Sequence, residues 1–277
     1  MACNTEPDSR YVIAIGAAAL DEYYTADTWP SEGGKAMVDY KEDMIGGMIP
    51  NAACVFAGYG VHTYLVDTLK NNSKKTDMIV SDLKAHGVKT GLLRYQDDIP
   101  DARTIIILTH RERTILVVEP HKPLLDIKAC ELDIFRKASY IYTTPVELKN
   151  IRNYMEFVDD MKNHHVKLAF DIEASTVDAC DKELIYKGDV LFFNEFGFEK
   201  IKGNRGEEEA FSEMFENGVE IATITLGEKG SFTATKNETF RTPAVKQQVV
   251  DTTGAGDTFN SSFIPYLLMG KSIREAA

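Results

Sequence analysis

The chain has 277 residues, 44% of them hydrophobic, 27% charged, with a formal net charge of −12. That length and apolar content can bury the core of one large α/β domain, or one domain with a small appendage. The acidic balance excludes general attraction to nucleic acid or anionic membrane, which needs a basic surface, so any bound phosphate must be held by local chemistry.

The first ten residues carry Glu6 and Asp8 and no apolar segment, and so lack the basic-then-apolar order of a secretory signal. No uninterrupted apolar run approaches the roughly 18 residues of a spanning helix. Cys3, Cys54, Cys130 and Cys180 stand far apart without a C-x-x-C pair. Such spacing argues against a zinc knuckle or a disulfide framework and suits a reducing cytoplasm.

In chain order, Tyr11 to Ile15 is a short apolar run that reads as a buried opening strand, closed by Gly16. Residues Ala36 to Asp43 alternate loosely, and Gly46-Gly47 breaks the pattern before a small-residue helix in which Pro50 occupies the first turn. Val61 to Val66 is the next strand, and Lys74 to His86 a helix ended by Gly87. This is the βαβ order of a parallel sheet. Thr104 to Leu108 and Thr114 to Val118 are separated by too few residues for a crossover helix, which predicts an antiparallel hairpin. With the strand at 36–43 it makes either a small second sheet used as a lid or an added edge of the main sheet.

Beyond residue 138 the spacing predicts a strand at Ser139 to Tyr142, a helix over Glu147 to Asn163, and strands at Lys167 to Asp171, Asp189 to Phe193 and Glu220 to Leu226. An acidic helix around Glu207 to Phe215 separates the last two. Ser231 to Thr235 and Thr239 to Thr242 flank a tight turn as a hairpin. The expected architecture is a single α/β domain over 1–277, a doubly wound and mostly parallel sheet with lid strands inserted at about 22–45 and 100–119.

Chemistry concentrates in Asp251-Thr-Thr-Gly254-Ala255-Gly256-Asp257, which leads into an apolar helix from Phe259 to Leu268. Small residues at 254–256 let backbone N–H groups turn toward an anion, and the helix start adds the positive end of its dipole. Asp257 at the mouth of that hole would take the proton of a hydroxyl under attack, or else cap the helix. The chain has no G-x-x-x-x-G-K-[ST] loop, and Gly254-Ala-Gly256-Asp-Thr-Phe259 lacks the third glycine of a dinucleotide fingerprint.

The segment Asp251 to Asp257 resembles the D-T-x-G-A-G-D signature of the ribokinase-like (PfkB-type) carbohydrate kinases, and Gly46-Gly47 with Asn51 is similar to that family's N-terminal G-G-x-x-x-N, about 200 residues earlier. The resemblance implies a doubly wound α/β fold with a β-sheet lid that also forms a homodimer contact, ATP and Mg²⁺ as cofactors, and a small sugar as substrate. By position it makes Asp257 the base and Gly254, Ala255 and Gly256 the anion hole. It assigns Asp21, Gly46, Gly47 and Asn51 to sugar hydroxyls, and Arg103 to the lid's contact with substrate. Thr225-Leu-Gly227-Glu-Lys-Gly230 is similar to the family's T-L-G-x-x-G stretch at the nucleotide. Asp251 is where K⁺ would be sought. Asp21 and Asn51 are also ordinary turn and helix-start residues, Arg103 an ordinary edge residue, and Thr225 to Gly230 an ordinary turn.

Two departures stand out. Asn194-Glu195-Phe196-Gly197 keeps the asparagine of the family's N-x-x-E but has glycine for the glutamate, which leaves Glu195 or Glu199 as substitutes near Mg²⁺. The resemblance also implies a helix and loop over adenine beyond the position of Ala277. The expected activity is therefore ATP-dependent phosphorylation of a sugar or sugar acid. A nucleoside kinase of the same fold and a non-catalytic binding homologue are the alternatives.

Overall fold

The structure, a computed structural model, describes residues 10–110, 112–118, 121–247 and 254–277. The first part of the chain forms β1 (Tyr11–Ile15), β2 (Ala19–Thr25), β3 (Asp39–Gly46), α1 (Met48–Gly58), β4 (His62–Val66), β5 (Thr68–Lys70), α2 (Lys74–Ala85), β6 (Arg94–Gln96), β7 (Arg103–Leu108) and β8 (Arg113–Val118). The middle forms α3 (Ala129–Arg136), β9 (Tyr140–Thr143), α4 (Pro145–Lys149), α5 (Tyr154–Asn163), β10 (Lys167–Ile172), α6 (Ala174–Ala179), α7 (Lys182–Ile185) and β11 (Val190–Asn194). The last part forms α8 (Glu195–Lys202), α9 (Glu207–Glu216), β12 (Ile221–Thr225), β13 (Ser231–Thr235), β14 (Thr239–Thr242), α10 (Ala255–Leu268) and α11 (Ile273–Ala276).

An eight-stranded sheet runs in the order β14-β13-β12-β11-β10-β9-β1-β4. It is parallel from β4 to β12 and closes with the antiparallel hairpin β13–β14. Both faces are covered because its central strands are apolar on both faces. Ile13 and Ile15 of β1 and Leu191 and Phe193 of β11 pack with Phe135, Val158, Met161, Phe198 and Phe211 from α3, α5, α8 and α9. The alternate residues Val12, Ala14, Val190 and Phe192 pack with Ile49, Ala53, Phe56, Ile79, Leu83 and Phe263 from α1, α2 and α10. The fold is thus doubly wound. Order reverses at β1, flanked by β4 and β9, the kind of switch point at which open α/β sheets bind ligands.

A separate four-stranded sheet has the order β3-β2-β7-β8. β2 pairs antiparallel with β3 and parallel with β7, and β7–β8 is the expected antiparallel hairpin. The hairpin therefore belongs to a small sheet and is not an added edge of the large one. β2 was not anticipated, since Leu20-Asp-Glu-Tyr-Tyr24 shows no clean alternation, and β3 runs later than expected, into Gly46 itself.

Two helices also differ from expectation. The helix over 147–163 is broken into α4 and α5, because Leu125 donates to Asn150 O and accepts from Arg152 N, and Asn153 adopts φ 54. The helix expected from Phe259 begins four residues earlier, at Ala255. Among the described residues no helix is long and apolar enough to cross a membrane.

Candidate active site

The two glycine-containing segments face each other. Gly47, the N-cap of α1, has φ 108, and a β-carbon there would stand 2.5 Å from Ala17 O, so only glycine closes this turn. The turn places Asn51 in the first turn of α1, with its N–H on Gly47 O. From there Asn51 Nδ2 donates to Asp257 Oδ2 at 3.4 Å. At the other segment Gly254 is left-handed (φ 72, ψ 4), and Thr258 N closes the turn on its carbonyl at 2.8 Å. Ala255 and Gly256 are exposed.

Asp257 is half-buried in the first turn of α10. Burial holds its carboxyl above the usual carboxylate range, and the Asn51 hydrogen bond opposes that shift. One turn further, Asn260 Nδ2 donates to Asp171 Oδ2 at 2.9 Å, and Tyr142 OH donates to the same oxygen at 2.9 Å. Asp171 is buried, and burial pushes its carboxyl up to about 7. Among the described residues Asn260 Oδ1 is buried without a partner. At the tip of β10, Glu173 is raised by partial desolvation and then by the charge of Asp257. Sequence reasoning missed Tyr142, Asp171, Glu173 and Asn260. The available signals were an aspartate inside an apolar strand and an asparagine at i+3 from Asp257.

Asp21 lies on β2 opposite Thr104 of β7, whose side chain hydrogen-bonds its carboxylate; burial raises the carboxyl and that bond opposes it. Gly46 is adjacent, and a β-carbon there would collide with the Asp21 carboxylate. Arg103 pairs opposite Leu20, so strand alternation puts it on the Glu22 side of the small sheet, the reverse of Asp21. Its NH1 stands 3.6 Å from Glu22 Oε2, and Lys75 Nζ holds Oε1 of the same carboxylate.

Asn194 ends β11 and caps α8, its Oδ1 accepting Gly197 N at 2.7 Å. A β-carbon on Gly197 would stand 2.7 Å from Ile172 O and 3.1 Å from Glu173 C, which explains glycine where the family pattern has glutamate. Glu195 and Glu199 line a cavity of about 220 Å³ with Lys229 and Arg241. Thr225 Oγ1 donates to Phe193 O at 3.3 Å. Gly227 (φ 57) and Gly230 (φ 88) make the turn that follows, and a β-carbon on Gly230 would run into Thr242 O. Asp251 lies outside the described residues.

Comparison with known proteins gives this arrangement a family. The chain is 25% identical over 283 residues to 5-dehydro-2-deoxygluconokinase of Bacillus subtilis, covering 96% of this chain and 86% of that protein. Its fold is similar to that of Arabidopsis thaliana ribokinase complexed with ribose and ATP, with TM-score 0.82 and 23% identity over 97% of this chain and 89% of the other. It is also similar to adenosine kinase from Sinorhizobium meliloti, with TM-score 0.78 and 21% identity over 97% and 90%. The profile described as pfkB family carbohydrate kinase matches residues 9–277. The chain therefore belongs to the pfkB family of carbohydrate kinases and is a phosphotransferase with an alcohol group as acceptor.

Proposed function

We propose that the chain transfers the γ-phosphate of ATP to a primary hydroxyl of a small sugar or sugar acid in a reducing cytoplasm, with Asp257 taking the hydroxyl proton. The observation that carries this reading is the hydrogen bond from Asn51 to Asp257, which joins the turn at Gly46-Gly47 to the bend at Gly254. A hydroxyl seated at that junction lies beside a carboxylate whose burial disfavours its charge and so strengthens its demand for a proton. The backbone N–H groups of the 254–256 bend, at the positive end of α10, receive the charge that develops on the transferred phosphoryl.

Asp21, Gly46, Gly47 and Asn51 hold the sugar hydroxyls, and Arg103 acts through Glu22 on the reverse face of the small sheet, which serves as a lid. Asn194, Thr225, Gly227 and Gly230 face the nucleotide, and Asp251 is the place for a K⁺ ion. Mg²⁺ fits the oxygen-rich mouth: Glu173, raised by burial and then by the like charge of Asp257, would hold it. When bound, Mg²⁺ neutralises charge on the β- and γ-phosphate oxygens. Two chains pair through the edges of their small sheets.

ADP release is measured over a panel of ribose, fructose, a sugar acid and nucleosides, with wild type and Asp257→Asn. Loss of a general base lowers kcat by about 10² or more while ATP still binds. Activity retained within about tenfold refutes the base assignment, and turnover confined to nucleosides refutes the sugar.

A further inference from the structure

A thiol, a carboxylate and an imidazole converge between α1 and α2, outside the candidate active site. Cys54 on α1, Asp82 on α2 and His86 at the end of α2 each offer a ligand atom, all within 4.8 Å of one another. Helix geometry creates the group: Asp82 and His86 are i and i+4 on one face, with Cys54 supplied by the neighbouring helix. His86 Nδ1 stands 3.4 Å from Asp82 Oδ2. That is the spacing of two ligands held about 2.0–2.1 Å from one tetrahedral ion. His86 Nδ1 also lies 3.0 Å from Asp82 O, so binding through Nδ1 takes the tautomer protonated at Nε2 and gives up any hydrogen bond to that carbonyl. Cys54 and Asp82 are half-buried and His86 is exposed, which leaves a path for an ion and a fourth position for water.

We infer that Cys54, Asp82 and His86 form a binding site for one thiophilic divalent ion, Zn²⁺ or a d-block ion of similar preference, that ties α1 to α2. The donor set selects the metal. Thiolate and imidazole suit Zn²⁺ or Co²⁺, whereas Mg²⁺ requires hard oxygen ligands in octahedral array. Binding replaces the thiol proton by a sulfur–metal bond, with the proton released to solvent. Asn51 lies one turn before Cys54 on α1, so the ion would brace the helix that presents it. The site stands independently of the kinase reading.

The full chain, free of any tag and stripped with a chelator under reducing conditions, is titrated with Co²⁺ and then Zn²⁺. The expected result is a thiolate-to-cobalt charge-transfer band that saturates at one ion per chain, disappears on adding Zn²⁺, and survives excess Mg²⁺. Cys54→Ser abolishes the band. His86→Gln, at an exposed position that folding tolerates, weakens Zn²⁺ binding about tenfold or more, since loss even of partners outside the ligand shell typically costs about 10–100-fold. No charge-transfer band in the wild type, displacement by Mg²⁺, or Zn²⁺ affinity unchanged in His86→Gln each overturns the site.

Discussion

The carboxylate of Asp21 occupies the space that a β-carbon on Gly46 would need. β2 and β3 are antiparallel neighbours, with Ala19 opposite Gly46 and Asp21 opposite Met44, so the carboxylate reaches across the strand pair only because residue 46 has no side chain. Thr104 steadies it from β7.

Gly46→Ala is therefore expected to displace Asp21. Overpacking of this kind costs about 1–3 kcal/mol in stability. In steady-state kinetics the KM for the sugar should rise about tenfold or more, equivalent to about 1.4 kcal/mol, with the KM for ATP little changed. An unchanged sugar KM would remove Asp21 from the substrate site.

Asn51→Ala removes the larger of the two hydrogen bonds that lower the Asp257 pKa, leaving burial opposed only by the backbone N–H of Asp257 itself. If Asp257 acts as a base only when ionised, the acidic limb of the kcat/KM pH profile moves to higher pH. A limb that stays in place or moves lower contradicts the assignment.

Asp67 gives a stability test remote from turnover. It is buried, accepts from Ala18 N at 2.9 Å, Thr68 N at 2.7 Å and Lys122 Nζ at 2.5 Å, and burial pushes its carboxyl up from 3.8 to about 6. A raised folded-state value means the native chain binds the proton more tightly. The contribution is complete below 3.8 and lost as pH rises through about 6. Lys122→Met leaves a buried carboxylate unpaired, which should cost about 3–5 kcal/mol above pH 7 and clearly less near pH 5. Urea unfolding at the two pH values decides, and equal losses would refute the account.

Gly197→Glu restores the residue of the family pattern but drives a β-carbon into Ile172 O. Thermal unfolding should show a lower Tm with no gain in Mg²⁺ use, whereas Glu173→Gln should raise the Mg²⁺ concentration needed for half-maximal rate several-fold. A stable, active Gly197→Glu would mean that the chain around Ile172 yields more than its packing indicates.

Val117 on the edge strand β8 is 71% exposed beside exposed Ile115 and Leu116. Light scattering should find a dimer for the wild type and a monomer for Val117→Asp, because a charge on an edge strand opposes strand pairing. A monomeric wild type rules out the lid contact.

Much of the large sheet was legible because its strands are apolar on both faces; Tyr11–Ile15 and Val190–Asn194 are short, continuous hydrophobic runs whose pattern survives without context. β2 was not, since Glu22 shares the buried face with Leu20, so that burial alternates along the strand while residue type does not. Nor was the break between α4 and α5, which depends on Leu125 pairing at Ile151.

The same division runs through the site. The amino-acid order alone determined the glycine turns and the acid beside them, because φ 108 at Gly47 and φ 72 at Gly254 are local demands that few other residues meet. Only the tertiary structure decided that Asn260 would rest on Asp171, 89 positions away, that Glu173 would feel the charge of Asp257, and that Gly197 leaves no room for a side chain. Backbone conformation is a property of a few consecutive residues, whereas burial and charge coupling depend on which distant segments the packed sheet brings into contact.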